Sequence, residues 1–268
     1  MTRTIAVAAT APFGADVLER LASQHNVACV VTRPDAPAGR GRKLVPSPAK
    51  RVAERLGIRA LEPERLEPGL DLGAPVVVAV GYGLIVPETA LAERLWLNVH
   101  PSLLPQWRGA APVERALMAG DVETGVTVIR LVKELDAGPI AAQEAFAIAR
   151  DGDAGAVFAR AGDLAVTLLD AVLSEPEPSF REQEGEPTYA AKITADDRRL
   201  DLDRPAQELV DHVRALSPHI GARAELQSRR VTIWRARVAE DGSFEAVEVQ
   251  PDGGRRMAYD AWLRGLRA

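Results

Sequence analysis

Apolar and polar positions in the first half of the chain fall into two alternating patterns. Residues 4–9, 27–32, 75–80 and 95–99 are short, mostly apolar runs in which β-branched side chains recur. Between them, residues 15–22 place Val17, Leu18 and Leu21 on one side of a helix. Residues 47–56 form a second helix, with Ser47 as N-cap and Pro48 at its first position. Strands that are apolar on both faces and alternate with helices predict an α/β fold: an open, mostly parallel, Rossmann-like sheet covered by helices. In such sheets ligands sit beyond the carboxyl ends of the strands, so the loops after Val80 and Val99 are the first places to look.

Later strands are predicted over 125–130 and 139–148, and a long Ala- and Leu-rich helix over 154–173. Residues 175–188 hold Pro176, Pro178 and Pro187 among many acids and read as a linker. Beyond Leu200, residues 205–216 put Leu209, Val210, Val213 and Leu216 on one helix face, and strand-like runs follow at 222–227, 230–237 and 244–249. This pattern predicts a small C-terminal β-rich domain. The expected division is a main domain over 1–180, a linker over 181–200 and the small domain over 201–268.

Composition narrows the function. The chain has 268 residues, of which 47% are hydrophobic and 26% charged, as in ordinary soluble globular proteins. Its longest apolar runs stop well short of the roughly 20 residues that span a bilayer, and the N-terminus reads as a first strand and not a signal peptide. A cytoplasmic protein without a membrane partner is expected. The single cysteine, Cys29, excludes an internal disulfide and a Cys-rich metal site, and its apolar neighbours predict a buried thiol. Fingerprints of dinucleotide enzymes, P-loop proteins, serine hydrolases and zinc proteases are missing, and no metal is expected. The net charge of −5 counts against a nucleic-acid partner, but residues 33–55 carry seven basic side chains against two acidic ones.

The chemically informative stretch is Leu97-Asn98-Val99-His100-Pro101-Ser102-Leu103-Leu104-Pro105. Two residues apart on a strand means one face, so Asn98 and His100 point together at a strand's carboxyl end. A second constellation, Glu134-Leu135-Asp136-Ala137-Gly138-Pro139, places a carboxylate in a turn between two strands. Acyl transfer to an amine needs a donor for the oxygen that gains charge and an acceptor for the amine proton, and an amide, an imidazole and a carboxylate supply both. Spacing alone leaves plainer readings open: a structural histidine beside a strand, an asparagine capping a turn, and an aspartate in an Asx-turn.

The run LNVHPSLLPQWRGAAPVERALMAGDVETGVTVIRLVKELDAGPI, residues 97–140, resembles the core of the 10-formyltetrahydrofolate-dependent formyltransferase family. Within that family it is most similar to members that formylate methionine charged on initiator tRNA. The resemblance implies that Asn98, His100 and Asp136 are the catalytic residues. It implies that Gly83, Leu84 and Ile85, from the loop Gly81-Tyr82-Gly83-Leu84-Ile85-Val86-Pro87, together with Ser102, Leu103, Leu104 and Pro105, bind the folate co-substrate. Residues 33–43 resemble the tRNA loop, with Arg40, Arg42 and Lys43 as contacts. The C-terminal part resembles an OB-like second domain, abbreviated around residues 239–243. The first turn, Ala9-Thr10-Ala11-Pro12-Phe13-Gly14, departs from the family's Gly-rich start. The expected protein is thus a cytoplasmic monomer that moves a formyl group from 10-formyltetrahydrofolate to initiator methionyl-tRNA without a metal. The alternatives are an N-formyltransferase acting on an amino-sugar nucleotide, a catalytically inactive RNA-binding relative and a formate-releasing hydrolase.

Overall fold

A computed structural model describes residues 3–38 and 41–267. The chain opens with β1 (Thr4–Ala9), α1 (Pro12–Ala22) and β2 (Asn26–Val31). An antiparallel pair, β3 (Ala36–Ala38) and β4 (Lys43–Val45), precedes α2 (Pro48–Leu56), β5 (Ala60–Leu61), β6 (Val76–Val80), α3 (Glu88–Glu93) and β7 (Leu95–His100). Next come β8 (Arg108–Gly109), α4 (Pro112–Met118), β9 (Glu123–Arg130), β10 (Ile140–Ala147) and α5 (Ala154–Ser174). The chain ends with β11 (Tyr189–Ala190), α6 (Ala206–Leu216), β12 (Ala222–Leu226), β13 (Arg229–Val238), β14 (Phe244–Pro251), β15 (Met257–Ala258) and α7 (Tyr259–Arg267). Two compact units result, one from residues 1–108, 125–145 and 160–188, the other from 109–124, 146–159 and 189–268.

The first unit is built on a seven-stranded sheet of order β10-β9-β7-β6-β1-β2-β5. β1 pairs in parallel with β2 and β6, and the β6–β7 and β2–β5 pairs are parallel too, while β9 runs antiparallel to β7. The mostly parallel sheet follows from the apolar runs: Ile5 through Ala9 and Val76 through Val80 are all buried, which only a sheet covered on both faces allows. From β1 the chain goes to β2 on one side and later returns as β6 on the other. The carboxyl ends of β1 and β6 therefore form the topological switch point of the sheet.

Local chemistry shapes this end of the sheet. The Gly81 carbonyl accepts from the backbone N–H groups of Thr10 (3.3 Å) and Ala11 (3.1 Å), locking the two loops together. α1 starts at once, and Gly14 lies so close to β6 that a Cβ there would stand 2.1 Å from the Val80 carbonyl oxygen. The one early glycine thus serves helix–strand packing in a fold with no dinucleotide fingerprint. Ser47 caps α2 by accepting from the Lys50 N–H (3.0 Å), and its hydroxyl bonds Thr32 (2.7 Å) beyond the end of β2. Cys29 is fully buried and donates to the Leu72 carbonyl (3.2 Å), and burial pushes its thiol pKa up.

In the second unit, β12-β13-β14-β15 form an antiparallel sheet with β12 and β15 at its edges. Val213 and Leu216 of α6 and Trp262 of α7 close its core over Ala222, Val231, Ile233, Ala246 and Val249. The abbreviated stretch at 239–243 is a tight turn between β13 and β14, closed by the Ala239 N–H to the Ser243 carbonyl (2.8 Å). The sequence pattern misses α3, α4 and α7, which are too short for periodicity to identify.

Two outcomes follow from this packing. Gly14→Ala should lower unfolding free energy by about 1–3 kcal/mol, because the added methyl meets backbone that cannot move aside; a wild-type urea midpoint would contradict it. His25 is 5% exposed and neither ring nitrogen has a hydrogen-bond partner. Burial pushes its pKa below the ordinary imidazole value, and Asp170, 3.5 Å away, opposes this more weakly. The unfolded chain therefore takes up the proton first, so this contribution to stability is complete above about pH 6.5 and falls as the pH drops below it. His25→Gln should flatten the loss of stability between about pH 7.5 and 5.5, measured by urea denaturation. An identical slope in both proteins would remove His25 as its source.

Candidate active site

The site begins with the pleat of β7. Leu97 and Val99 are buried on one face, which turns Asn98 and His100 to the other. β9 pairs antiparallel with β7, Asn98 opposite Ile129 and His100 opposite Thr127. The chain leaves the sheet after Arg130 and returns at Ile140, and the intervening turn carries Asp136 at φ +49°, a left-handed conformation that aspartate tolerates.

Asp136 meets both β7 side chains. Its Oδ1 accepts from Asn98 Nδ2 at 3.3 Å, and its Oδ2 lies 3.6 Å from His100 Nδ1. His100 Nε2 is 2.8 Å from the Trp107 carbonyl oxygen. A carbonyl can only accept, so Nε2 carries a hydrogen. The ring then faces the carboxylate with Nδ1, and a proton between Nδ1 and Oδ2 makes that contact attractive. The His100 and Asp136 side chains are 5% and 10% exposed, so their interaction is weakly screened. Asn98 is half-buried.

The other predicted residues separate into surface and frame. Gly81 (φ +54°) and Gly83 (φ +75°) turn the loop after β6 so that Tyr82 enters the core beside Trp96, where burial pushes its phenol up to about 12. Leu84 and Ile85 are left on the surface, Ile85 at 90% exposure. Ser102 and Leu104 are buried, and Leu103 and Pro105 are half-buried. Arg42 and Lys43 are exposed at the β3–β4 pair, while Arg40 lies outside the described residues. The basic excess of residues 33–55 shrinks on folding. Lys50 is bonded to Asp35 (2.8 Å) and Glu62 (3.0 Å), which hold it charged, and Arg55 pairs with Glu19 (2.7 Å). No cluster of metal-ligating side chains occurs among the described residues, and none of their helices is long and apolar enough to cross a membrane.

Residues 3–173 match the family model described as formyl transferase, and residues 192–247 match the formyl transferase C-terminal domain. The chain belongs to the formyltransferase family. It is 37% identical to the methionyl-tRNA formyltransferase of Paracoccus denitrificans, in an alignment covering 96% of this chain and 95% of that one. It is 40% identical to the methionyl-tRNA formyltransferase of Thermus thermophilus, covering 93% and 92% of the two chains. Its fold is similar to the crystal structure of an N-formyltransferase from Helicobacter canadensis in complex with folinic acid and dTDP-3-aminofucose. The TM-score is 0.69 at 16% identity, over 96% of this chain and 99% of that one.

This formyltransferase also holds its site with residues that sequence reasoning missed. Thr127 Oγ1 donates to the Ser102 carbonyl (2.7 Å) and accepts from the Leu104 N–H (3.2 Å) and from Gln143 Nε2 (2.9 Å). Gln143 also reaches the Leu104 carbonyl (2.8 Å). The Ser102 hydroxyl donates to the Gln106 carbonyl (2.6 Å), and Leu104 packs on Ile129 and Ile140. Thr127 is an unmarked strand residue in the sequence. Only its register opposite His100 identifies it. Thr127→Val keeps the shape but leaves several buried polar groups without their partner, so unfolding free energy should fall by about 1–3 kcal/mol in urea titrations. An unchanged midpoint would show that the loop is held some other way.

Proposed function

We propose that this formyltransferase moves the formyl group of 10-formyltetrahydrofolate onto the amino group of methionine charged on initiator tRNA, with Asn98, His100 and Asp136 as its catalytic residues. The observation that carries the chemistry is the meeting of these three side chains at the carboxyl end of β7. The acceptor is supported by identities of 37% and 40% to methionyl-tRNA formyltransferases over nearly the whole chain.

The co-substrate supplies the formyl group. The ledge of Gly83, Leu84 and Ile85, beside the sheet's switch point, offers backbone and aliphatic surface that suits a flat, amide-like heterocycle. Leu103 and Pro105 extend the site, and Ser102 and Leu104 hold that segment from within. Asn98 Nδ2 has two hydrogens and gives one to Asp136, leaving the other for the formyl oxygen as it gains charge. His100, held by the Trp107 carbonyl, stabilises the same charge when protonated. Asp136 keeps a proton near His100 and accepts the one that the attacking amine must lose, from where it passes to the leaving nitrogen. Arg42 and Lys43, with Arg40, offer charge to tRNA phosphates. The proposed working form is a cytoplasmic monomer, a reading that the family resemblance supports.

Incubation with charged initiator tRNA and 10-formyltetrahydrofolate should yield formylmethionine. His100→Ala and Asp136→Asn should each lower turnover by about 10²-fold or more with the fold retained, since asparagine also tolerates the left-handed turn. Near-normal turnover in either would overturn that residue's role. Formylation of an amino-sugar nucleotide but not of charged tRNA would replace the acceptor.

A further inference from the structure

The proline- and acid-rich segment that reads as a linker reaches both halves of the site. Arg181 exchanges backbone hydrogen bonds with Ile140 at the start of β10 (2.7 and 2.9 Å). Gln183 Nε2 donates to the carbonyls of Asp136 (2.7 Å) and Gly138 (2.8 Å). Its Oε1 accepts from Arg108 Nη2 (2.6 Å) and Nε (3.2 Å). Arg108 directly follows Trp107, whose carbonyl holds His100. Thr188 then fastens the same loop: its hydroxyl accepts from the Trp107 N–H (2.9 Å), its carbonyl from the Arg108 N–H (2.9 Å), and its N–H donates to the Pro105 carbonyl (3.3 Å).

We propose that Gln183 is a positioning residue for formyl transfer, setting the Asp136 carboxylate against His100 by bridging the turn that carries one and the loop that anchors the other. The inference rests on the reading of His100 and Asp136 as catalytic. Both anchor points lie outside the seven-stranded sheet, and both contain a non-glycine residue in the left-handed region, Trp107 at φ +62° and Asp136 at φ +49°. Aspartate tolerates this conformation, but for a bulky residue such as Trp107 it persists only where surrounding contacts hold it. A primary amide is suited to this place because one end must donate to two carbonyls while the other accepts from a guanidinium. A carboxylate satisfies the Arg108 side and repels the carbonyl side.

The test uses the full chain with charged initiator tRNA and 10-formyltetrahydrofolate, comparing Gln183→Met, Gln183→Glu and Asp136→Asn. Gln183→Met keeps the length and removes both arms. Gln183→Glu keeps the arm to Arg108 and so guards against simple unfolding. Both are expected to lower kcat by about 10- to 100-fold, the scale of an ångström-sized misplacement, with KM for either substrate within about 2-fold. They should also shift the pH profile of kcat, which a merely structural role would not move. Wild-type kcat and pH profile in folded Gln183→Glu, with Asp136→Asn inactive, would overturn the positioning role and leave the catalytic reading standing. A lower melting temperature in Gln183→Met with kcat and pH profile unchanged would do the same. Full turnover in Asp136→Asn would instead remove the reading on which the inference rests.

Discussion

The carboxylate of Asp136, shared between Asn98 Nδ2 and His100 Nδ1, is the interaction on which the site depends. It arises from two ordinary constraints. The period-two pleat of β7 sends Asn98 and His100 to one face while Leu97 and Val99 anchor the strand in the core. The antiparallel pairing of β9 with β7 then aims the turn after Arg130 back toward that face. Neither constraint is specific to formyl transfer. Their conjunction brings residues 98, 100 and 136 within hydrogen-bonding or ion-pair range, with the two ionisable groups largely withdrawn from water.

The rest of the first unit keeps this geometry in place and puts a ledge at the switch point. Thr127, directly opposite His100, ties down the segment from Ser102 to Leu104, and Gln143 doubles that tie. Gly14 lets α1 come close to the Val80 carbonyl, and the Gly81 carbonyl binds the loops after β1 and β6 together. The exposed Leu84 and Ile85 are therefore carried by a supported loop, with Tyr82 buried beneath as its anchor. The second unit has its own core and its own half-buried ion pair. Arg115 pairs with Asp197 at 2.7 Å, and that pairing, with help from Thr194, holds the Asp197 carboxyl well below the usual carboxylate range.

Much of this was legible along the chain. The buried strands β1 and β6 are visible as runs apolar on both faces, and the Ser47-Pro48 start of α2 as a cap followed by proline. Asn98 and His100 are visible as a polar pair at strand spacing. Asp136 is visible as a carboxylate in a turn between two strands, a pattern that also fits an ordinary Asx-turn, and the family resemblance is what ties it to Asn98 and His100. The short helices α3, α4 and α7 were hidden, since six to nine residues hold too few turns to show a period. The count of basic residues in 33–55 overstated the positive surface, because Glu19 and Glu62, outside that window, neutralise Arg55 and Lys50.

What the sequence determined by itself is whatever depends on neighbours along the chain: strand and helix type, the caps, the pleat that pairs Asn98 with His100, and the motif that places the chain in its family. Tertiary structure alone decided which distant segments meet. The linker-like stretch through Gln183 and Thr188 carries no periodic signal, yet its side chains and backbone bond both the His100 loop and the Asp136 turn. Hydrogen-bond partners across tens of residues are chosen by the folded path of the chain, and no local pattern encodes that path.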